Sequence, residues 1–290
     1  MNSPFRYAGG KFYARKLILE KLPSHSTYIE PFAGGASIFF CKDKSLNSQL
    51  NDIDDDLINT YQIIRDYPND LIEMLKCGSN GSKDIPVELL GGVEKGNPIP
   101  AKKEIHHFLK NVYVPHNNIE RAFRWFYLNR TSYSGIMNFK NMYWGYGDKF
   151  SMQPKNWPNN IQRTSEKLQG VNLTSLDFEI VIDNAPDNSF LFIDPPYYNA
   201  DQDKFYQHFF SREDHYRLCN CIRRNYERLL VFITYDNVED IRNMYDFMLE
   251  MHDKEWNYCI SRTDDQKNHT RIKGERSKGK ELFILNYPTN

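Results

Sequence analysis

The sequence predicts an α/β protein with a doubly wound, mixed β-sheet and an inserted, mainly helical region. Short apolar runs alternate with segments of helical period near both ends of the chain, which is typical of strands and helices packed in layers. Two late strands lie close in sequence and can pair as antiparallel neighbours. The middle of the chain breaks this alternation with glycine-rich loops and helical stretches.

The individual elements follow from periodicity and from residues that end helices or strands. Leu57, Ile58, Tyr61 and Ile64 share one helical face, and Pro23 ends the first helix. Near the N-terminus the predicted order is helix 11–22, strand 27–29, helix 35–41, strand 49–51 and helix 54–65. Helices 102–112 and 119–129 lie in the insertion, and then come helix 159–168, strand 171–174, strand 190–193, helix 212–226, strand 229–234, helix 238–245 and strands 255–261 and 281–287. We therefore expect one domain made of residues 1–67 and 158–290, with residues 68–157 inserted into it.

Composition places the chain among globular proteins and limits its partners. Of 290 residues, 40% are hydrophobic, and 37 basic against 38 acidic residues leave a formal net charge of −1. Without a global positive field, binding to nucleic acid must rest on local patches. The five cysteines show no metal-type spacing, and the sequence has no secretory or membrane-spanning pattern. We therefore expect a reduced, cytoplasmic protein that needs no metal.

The most informative stretch is an apolar run that begins at Phe190 and ends at Asp194-Pro195-Pro196-Tyr197. The run is typical of a strand buried on both faces, and the prolines end it because they cannot donate ladder hydrogen bonds. Open α/β sheets bind ligands at the carboxyl ends of their strands. Asp194 and a neighbouring carbonyl suit a flat base with an exocyclic amine, on which Tyr197 can stack. An ordinary strand end with turn prolines is the alternative.

A second strand, at 27–29, runs into the turn Glu30-Pro31-Phe32-Ala33-Gly34 and then into a helix. Glycine lets a ligand approach the backbone, and a helix start offers unpaired N–H groups. Asp52 ends the next strand 22 positions after Glu30, where folds of this kind hold ribose hydroxyls. The predicted ligand contains adenosine, and S-adenosylmethionine meets that description. Asp52 as an ordinary acid at a helix start is the alternative.

Five motifs occur in one order along nearly the whole chain. They are Tyr7-Ala8-Gly9-Gly10-Lys11, the Glu30–Gly34 turn, Asn51-Asp52, Asp194-Pro195-Pro196-Tyr197 and the terminal Glu281-Leu282-Phe283-Ile284-Leu285-Asn286-Tyr287. This set resembles the Dam-type DNA adenine-N6 methyltransferases of the alpha group. The resemblance implies a Rossmann-like methyltransferase core in residues 1–67 and 158–290, and a target-recognition domain in residues 68–157.

The resemblance also implies roles for individual residues. The implied catalytic residues are Asp194, Pro195, Pro196 and Tyr197. The implied contacts to the cofactor are Tyr7, Ala8, Gly9, Gly10, Lys11, Glu30, Pro31, Phe32, Ala33, Gly34, Asp52, Asp177, Phe178 and Asp194. On the DNA side the resemblance implies Arg6, Asn129, Arg130, Ser132 and Tyr133.

Local charge and aromatic content extend the predicted DNA side. Arg121 and Arg124 are three positions apart on one face of an aromatic helix, either as phosphate contacts or as part of a solvated face. Tyr146 lies in a glycine-containing aromatic turn that suits a groove. A basic stretch between residues 262 and 280 can grip phosphates or form a polar hairpin loop.

The predicted reaction is methyl transfer from S-adenosylmethionine to N6 of an adenine flipped out of double-stranded DNA. Because the amine lone pair is conjugated into the ring, hydrogen bonds to Asp194 and the Pro195 carbonyl are needed to free it. The sequence departs from the family in two places: Ala36 replaces the second glycine of the turn, and Ile136-Met137-Asn138-Phe139 lacks the basic residue of GATC-reading members.

Two alternatives stay open at this point. One keeps the fold and changes the acceptor to cytosine N4 or an RNA base; Asp rather than Ser before Pro195 favours adenine. The other is a non-catalytic DNA-binding module, against which the intact Asp194–Tyr197 motif argues. Further expectations are a cognate restriction endonuclease as a candidate partner, a monomer or weak dimer, and the cytoplasm of a bacterial or phage-infected cell.

Overall fold

The computed structural model describes residues 1–7, 9–11, 14–149, 151–199, 208–257 and 278–289. Two sets of predicted residues lie outside this range: the expected cofactor contact Ala8, and the basic residues between 262 and 276. None of the described helices combines the length and the hydropathy that a membrane-spanning segment requires.

The sheet has seven strands and is mixed, as the sequence predicts. The strands are β1 (Thr27–Glu30), β2 (Asn47–Asn51), β3 (Val171–Thr174), β4 (Phe190–Ile193), β5 (Leu230–Asp236), β6 (Glu250–Asn257) and β7 (Lys278–Leu285). Their order is β3-β2-β1-β4-β5-β7-β6, in which β1 to β5 are parallel and β7 is antiparallel to both β5 and β6. The chain runs outward in one direction from β1 and in the other from β4. The β1–β4 pair is therefore the switch point, whose carboxyl edge is where such sheets bind ligands.

Helices cover both faces of the sheet. The described α-helices are α1 (Arg15–Leu19), α2 (Ser37–Cys41), α3 (Asp55–Asp66), α4 (Pro68–Met74), α5 (Val87–Leu90), α6 (Lys103–Asn111), α7 (Asn118–Thr131), α8 (Trp157–Leu168), α9 (Phe178–Asp183), α10 (Arg212–Asn225) and α11 (Glu239–Met244). The sequence analysis misses α4, α5 and α9, because helices this short show too little of a helical period. Strand β6 begins at Glu250 rather than at 255, and residues 258–261 of the predicted strand lie outside the described residues.

The buried strand β4 divides the core into two layers. Phe190 and Phe192 pack into one hydrophobic cluster, and Leu191 and Ile193 pack into the other. All four side chains are buried, which confirms the prediction of a strand covered on both faces. This double burial holds the end of β4, and with it Asp194, at a fixed place in the sheet.

The regular elements that the structure describes in residues 68–157 are helices, and this region shares the core of the sheet domain. The ring of Trp125 in α7 lies 4.7 Å from Phe5, and Phe126 lies 5.7 Å from Trp157. Buried residues of α6 and α7 belong to the same hydrophobic cluster as those of β1 and α2. Helix α7 therefore packs as part of the domain that carries the sheet, so a movement of α7 would displace residues of that domain.

Candidate active site

Asp194 lies at the carboxyl end of β4 and is held by two side chains. The register pairs Ile193 with Ile233, so the next residue of β5, Thr234, lies beside Asp194. The Thr234 hydroxyl donates a hydrogen bond of 2.7 Å to Asp194 Oδ1. Lys11 Nζ lies 2.6 Å from Oδ1 and 2.8 Å from Oδ2 of the same carboxylate. The structure thus brings together the N-terminal motif and the Asp-Pro-Pro-Tyr motif.

Lys11 is a buried cation at the centre of this group. Its side chain is 5% exposed, and its ammonium also donates to the Gly9 carbonyl at 3.0 Å. Burial by itself lowers the pKa of Lys11, but the charges of Asp194 and Glu281 and the hydrogen bond to Asp194 outweigh it, so the net pKa is raised. The ammonium lies 4.9 Å from the centre of the Tyr197 ring. Lys11 therefore stays charged and ties the acid to the aromatic ring.

The segment after the two prolines is fixed by Asp236, at the end of β5. The carboxylate of Asp236 accepts hydrogen bonds from the backbone N–H groups of Tyr198, at 2.9 Å, and Asn199, at 3.0 Å. The neighbouring Tyr197 ring lies 6.3 Å from Tyr235. The predicted stacking ring is thereby held beside Asp194, on the edge that faces the glycine-rich turn.

The glycine-rich turn is organised by the end of β2. Gly34 has φ = +46°, a left-handed conformation that glycine adopts without steric cost. Its N–H donates to Asp52 Oδ2 at 2.8 Å, and the N–H of Asp54 donates to Asp52 Oδ1 at 3.0 Å. Tyr7 lies against the turn, since a Cβ atom added at Gly34 would meet its ring at 2.8 Å. Asp52, Gly34 and Tyr7 thus form one cradle near the switch point.

Ala36 occupies a position where the family has glycine, and it adopts φ = +48°. This left-handed conformation costs a residue with a Cβ atom about 1–2 kcal/mol. Ala36 is 1% exposed and is the N-cap of α2. The substitution noted in the sequence thus preserves the turn at the expense of some strain.

Asn51 is a residue that the sequence analysis quotes as part of a motif but gives no role. Its amide donates to the carbonyls of Pro31 and Leu176, both at 2.9 Å. Its side-chain oxygen accepts from the Leu176 N–H and from the Thr174 hydroxyl, also at 2.9 Å. Asn51 therefore joins the ends of β1, β2 and β3 and holds the turn against the rest of the pocket.

Glu30 lies beneath the turn. Its Oε1 accepts from the Tyr28 hydroxyl at 2.6 Å and from the Phe39 N–H at 2.9 Å, and the residue is 2% exposed. Burial raises the pKa of Glu30 to about 8. The Glu30 side chain therefore supports helix α2, and its contact with the methyl donor stays a prediction.

We expect Glu30→Gln to flatten the pH dependence of stability. The folded protein holds the Glu30 proton up to about pH 8, whereas an unfolded chain releases it near pH 4.5. The stabilisation is therefore complete below pH 4.5 and is lost as the pH rises through about 8. Glutamine keeps the acceptor oxygen but cannot ionise. Urea unfolding between about pH 5 and pH 8 checks this, with exposed Glu88→Gln as the control; equal slopes in all three proteins would refute it.

Asp177 and Phe178 lie at the start of α9. Asp177 caps α9 by accepting from the Glu179 N–H at 2.9 Å, and its other oxygen lies 3.0 Å from Arg217. The Phe178 ring stacks on Phe32 with centres 5.4 Å apart. Since Phe32 belongs to the glycine-rich turn, this stack places the start of α9 against that turn.

The predicted DNA-side residues at the end of α7 are buried and hold the N-terminal segment. Asn129 is 0% exposed, accepts from the Arg6 N–H at 3.1 Å and donates to the Arg6 carbonyl at 2.7 Å. Arg130 donates to the Pro4 carbonyl at 3.1 Å. Ser132 is also buried, and its carbonyl accepts from the Arg6 guanidinium at 3.4 Å. Asn129 and Ser132 therefore have no exposed surface for DNA in this structure, which differs from the sequence prediction.

The side chains of Arg121 and Arg124 contact other groups of the protein. This differs from the alternative in which both contact phosphates. Arg121 lies 2.6 Å from both Asp55 and Asp56. Arg124 donates to the carbonyls of Leu109, at 2.7 Å, and Lys110, at 2.8 Å. Both line a cleft of about 140 Å³ with Trp125, Leu128, Met137, Phe139, Pro115 and Asp56. The two guanidinium groups therefore link α7 to α3 and α6.

Aromatic residues are exposed just beyond the end of α7. Tyr133 is 46% exposed and Tyr143 63% exposed, and the Tyr133 N–H donates to the Tyr143 carbonyl at 2.7 Å. A bridge between Ser132 and Trp144 extends this pairing. Tyr146, which is half-buried, lies 5.8 Å from Trp144. The turn after α7 and the aromatic turn thus form one surface on the side of the N-terminal segment.

One group of described residues has metal-like spacing: Glu179, Asp183 and Cys221. Arg224 lies 2.7 Å from Glu179 and 2.6 Å from Asp183. The guanidinium already balances these carboxylates, so the group is explained as an ion-pair network that joins α9 to α10.

Thr234 and Asp236 are site residues that sequence reasoning misses. Both follow from the sheet order, since the ends of two adjacent parallel strands must be neighbours. We expect Thr234→Val to lower the rate of methyl transfer about tenfold, because it removes a hydrogen bond to a carboxylate without changing shape. Thr234→Ser should keep the rate within about threefold. Single-turnover transfer decides this; equal rates in Val and Ser variants would show that the hydroxyl is not used.

Comparisons with known proteins identify the family of this chain. A family described as D12 class N6 adenine-specific DNA methyltransferase matches residues 7–260. The chain is 25% identical over 276 residues to type II methyltransferase M.CviBI of Paramecium bursaria Chlorella virus NC1A, covering 92% of this chain and 96% of that protein. It is 26% identical over 314 residues to type II methyltransferase M.MjaIII of Methanocaldococcus jannaschii, covering 98% and 99%.

A third relative, the DNA N-6-adenine-methyltransferase of Escherichia phage P1, is 29% identical over 255 residues, which cover 84% of this chain and 31% of that protein. The family match includes Lys11, Asp52 and Asp194, the residues that the fold gathers at the switch point. With its motifs, sheet order and site in agreement, the chain belongs to the D12 class of N6 adenine-specific DNA methyltransferases.

Proposed function

We propose that this enzyme methylates N6 of an adenine turned out of double-stranded DNA, and that Asp194 is the residue that activates the amine. The observation that carries the proposal is the Lys11–Asp194–Thr234 group at the end of β4, beside Tyr197 and the glycine-rich turn. Lys11 and Thr234 orient the Asp194 carboxyl group, yet its side chain is 21% exposed. An amine donor can therefore reach it from the open side.

Membership of a methyltransferase family implies S-adenosylmethionine as the methyl donor, and the residues of the pocket fit it. Gly34 in the turn has no side chain, and the Tyr7 ring lies directly over it and offers an aromatic surface. Asp52 can accept from ribose hydroxyls, and Asp177 with Phe178 can hold the adenine of the donor. When bound, the donor supplies an electrophilic methyl group on a sulfonium.

The chain's own residues prepare the acceptor. An N6–H group that donates to Asp194, and a second that donates to the Pro195 carbonyl, favour a tetrahedral nitrogen whose lone pair is free. Tyr197 supplies a stacking surface, which offsets part of the few kcal/mol needed to turn the base out. Positive charge would grow on the nitrogen as the N–C bond forms and the S–C bond of the donor breaks. The Asp194 carboxylate would stabilise this charge, and one N6 proton would then leave to solvent.

Arg6 and Arg130 lie near the surface that is proposed to face DNA, and they are suited to bind a phosphate. Arg130 is 5% exposed, and no hydrogen-bond partner of its Nε lies among the described residues. Burial and the nearby charge of Arg6 lower the pKa of Arg130 to about 10. A phosphate between Arg6 and Arg130 would relieve this repulsion. Exposed Tyr133 beside them, and Tyr146 in the aromatic turn, are proposed to face the bases or the groove.

Transfer of labelled methyl groups from S-adenosylmethionine tests the proposed function. The substrate is plasmid DNA from a host without adenine methylation, and the product is identified by nucleoside mass spectrometry. We expect N6-methyladenine. Label in N4-methylcytosine, or in RNA offered in parallel, would assign a different acceptor. If neither the DNA nor the RNA carries label, the protein is a DNA-binding module without catalysis.

We also propose that the enzyme protects DNA from a cognate restriction endonuclease, as a monomer or weak dimer acting in the cytoplasm of a bacterial or phage-infected cell and without a metal. The type II names of two relatives support the first point. Sequencing of the methylated sites, followed by digestion with endonucleases that cut those sites, tests it. Activity in the presence of EDTA and light scattering of the purified enzyme test the metal and the oligomeric state.

A further inference from the structure

Lys11, which pairs with Asp194, lies on the same short segment as the residues held by α7. We call Pro4–Tyr7 together with Gly9–Lys11 the N-terminal strap. At one end of the strap, Asn129 bonds both the N–H and the carbonyl of Arg6. At the other end, Lys11 contacts both oxygens of Asp194. Arg6 and Lys11 are five positions apart, so a displacement of one is carried to the other over little chain.

The α7 end of the strap is tightly enclosed. Asn129 is fully buried, and its amide pairs with Arg6 as a neighbouring strand would. Gly135, in the turn after α7, approaches from another side: a Cβ atom added there would lie 2.1 Å from the Arg6 carbonyl oxygen. Gly135 has φ = +71°, which also favours glycine. The Arg6 peptide therefore cannot shift unless α7 or this turn shifts with it.

The active-site end of the strap is equally constrained. The Gly10 N–H donates to the Tyr7 carbonyl at 3.2 Å, which links the two parts of the strap. The Tyr7 ring lies on Gly34 and Gly35. Lys11 returns a hydrogen bond to Gly9 while it contacts Asp194. The position of Lys11 thus depends on the strap as a whole.

We propose that Asn129 is a positioning residue for methyl transfer, which sets Lys11 against Asp194 through the strap and so ties the exposed turn after α7 to the catalytic acid. This inference rests on the proposed function, because it takes the turn at Tyr133 as the side that meets DNA. Asn129 itself needs no contact with either substrate. Its role is to make the strap one rigid piece between them.

The test compares two buried asparagines that hold opposite ends of α7. Asn59, 4% exposed, donates to the Asn118 carbonyl at 2.9 Å, where α7 begins, and does not bond the strap. Asn129→Leu and Asn59→Leu should lower the melting temperature by similar amounts. Only Asn129→Leu should lower the single-turnover rate, by about tenfold or more, with DNA affinity within about threefold. An equal loss of rate in both variants would show general loosening and overturn the proposal.

A double variant distinguishes a positioning role from a merely structural one, because only a positioning role makes the loss of rate depend on Lys11. In the Lys11→Met background, where the lysine is already absent, Asn129→Leu should lower the remaining rate by less than about threefold. Independent, multiplying losses would overturn the proposal. If Asn129→Leu does not fold, Asn129→Ala, which leaves room for water, is compared in the same way. Wild-type enzyme in the same assay separates the two ideas: no wild-type transfer defeats the proposed function, not this inference.

Discussion

Asp194→Ala should abolish methyl transfer while leaving donor binding partly intact. The substitution removes the acceptor for the adenine amine and the charge that stabilises the methylated nitrogen, so we expect the single-turnover rate to fall by at least about 10³-fold. The donor cradle of Gly34 and Asp52 does not use Asp194, so the dissociation constant of S-adenosylmethionine should change by less than about tenfold. Rapid-quench transfer and isothermal titration calorimetry measure the two quantities separately.

The control for this prediction is Asp187→Ala, seven positions earlier. Asp187 is 75% exposed in a 3.4 Å pair with Arg228, and it should leave both quantities unchanged. Asp194→Asn is the graded case, because it keeps an oxygen that accepts a hydrogen bond but loses the charge. Unchanged turnover in Asp194→Ala would remove the acid from the mechanism and leave Lys11 and Tyr197 without their proposed purpose.

The sequence predicts the centre of the site because its residues stand directly at strand ends. The apolar run 190–193 is a strong strand signal, and it places Asp194 at the carboxyl edge without further information. Asp52 follows from the same logic at the end of β2. The mixed sheet is predicted because its strands and helices alternate clearly. The boundary of the insertion stays a prediction, since α7 shares a core with the sheet domain.

The parts that sequence reasoning misplaces depend on which way a side chain points. Arginines on an aromatic helix are compatible with phosphate contact, yet Arg124 bonds two carbonyls at the end of α6. A polar residue at a helix end is equally compatible with DNA contact, yet Asn129 is buried against Arg6. Thr234 carries no local signal at all, and only the β4–β5 register reveals it. These assignments are properties of packing, which local composition does not specify.

Asp52→Ala should weaken donor binding about 100-fold or more. The carboxylate accepts from Gly34 and Asp54 and is proposed to accept from ribose hydroxyls as well. Hydrogen bonds to a charged group are worth about 1.5–3 kcal/mol each, so losing the hydroxyl contacts and loosening the turn supports a change of this size. Burial raises the pKa of Asp52, whereas the N–H groups of Asp54 and Gly34 lower it, so the turn and the carboxylate stabilise each other.

The matched control is Asp54→Ala, two positions away. Asp54 caps α3 by accepting from the N–H groups of Asp56 and Leu57, and its loss should cost about 1 kcal/mol of stability. Its side chain takes no part in the glycine-rich turn, so calorimetry should show donor affinity close to that of the wild type. Since both variants remove one carboxylate from the same strand end, a 100-fold difference between them isolates the contact to the turn and the ribose. Equal donor affinity in Asp52→Ala and wild type would instead make Asp52 a helix-start acid.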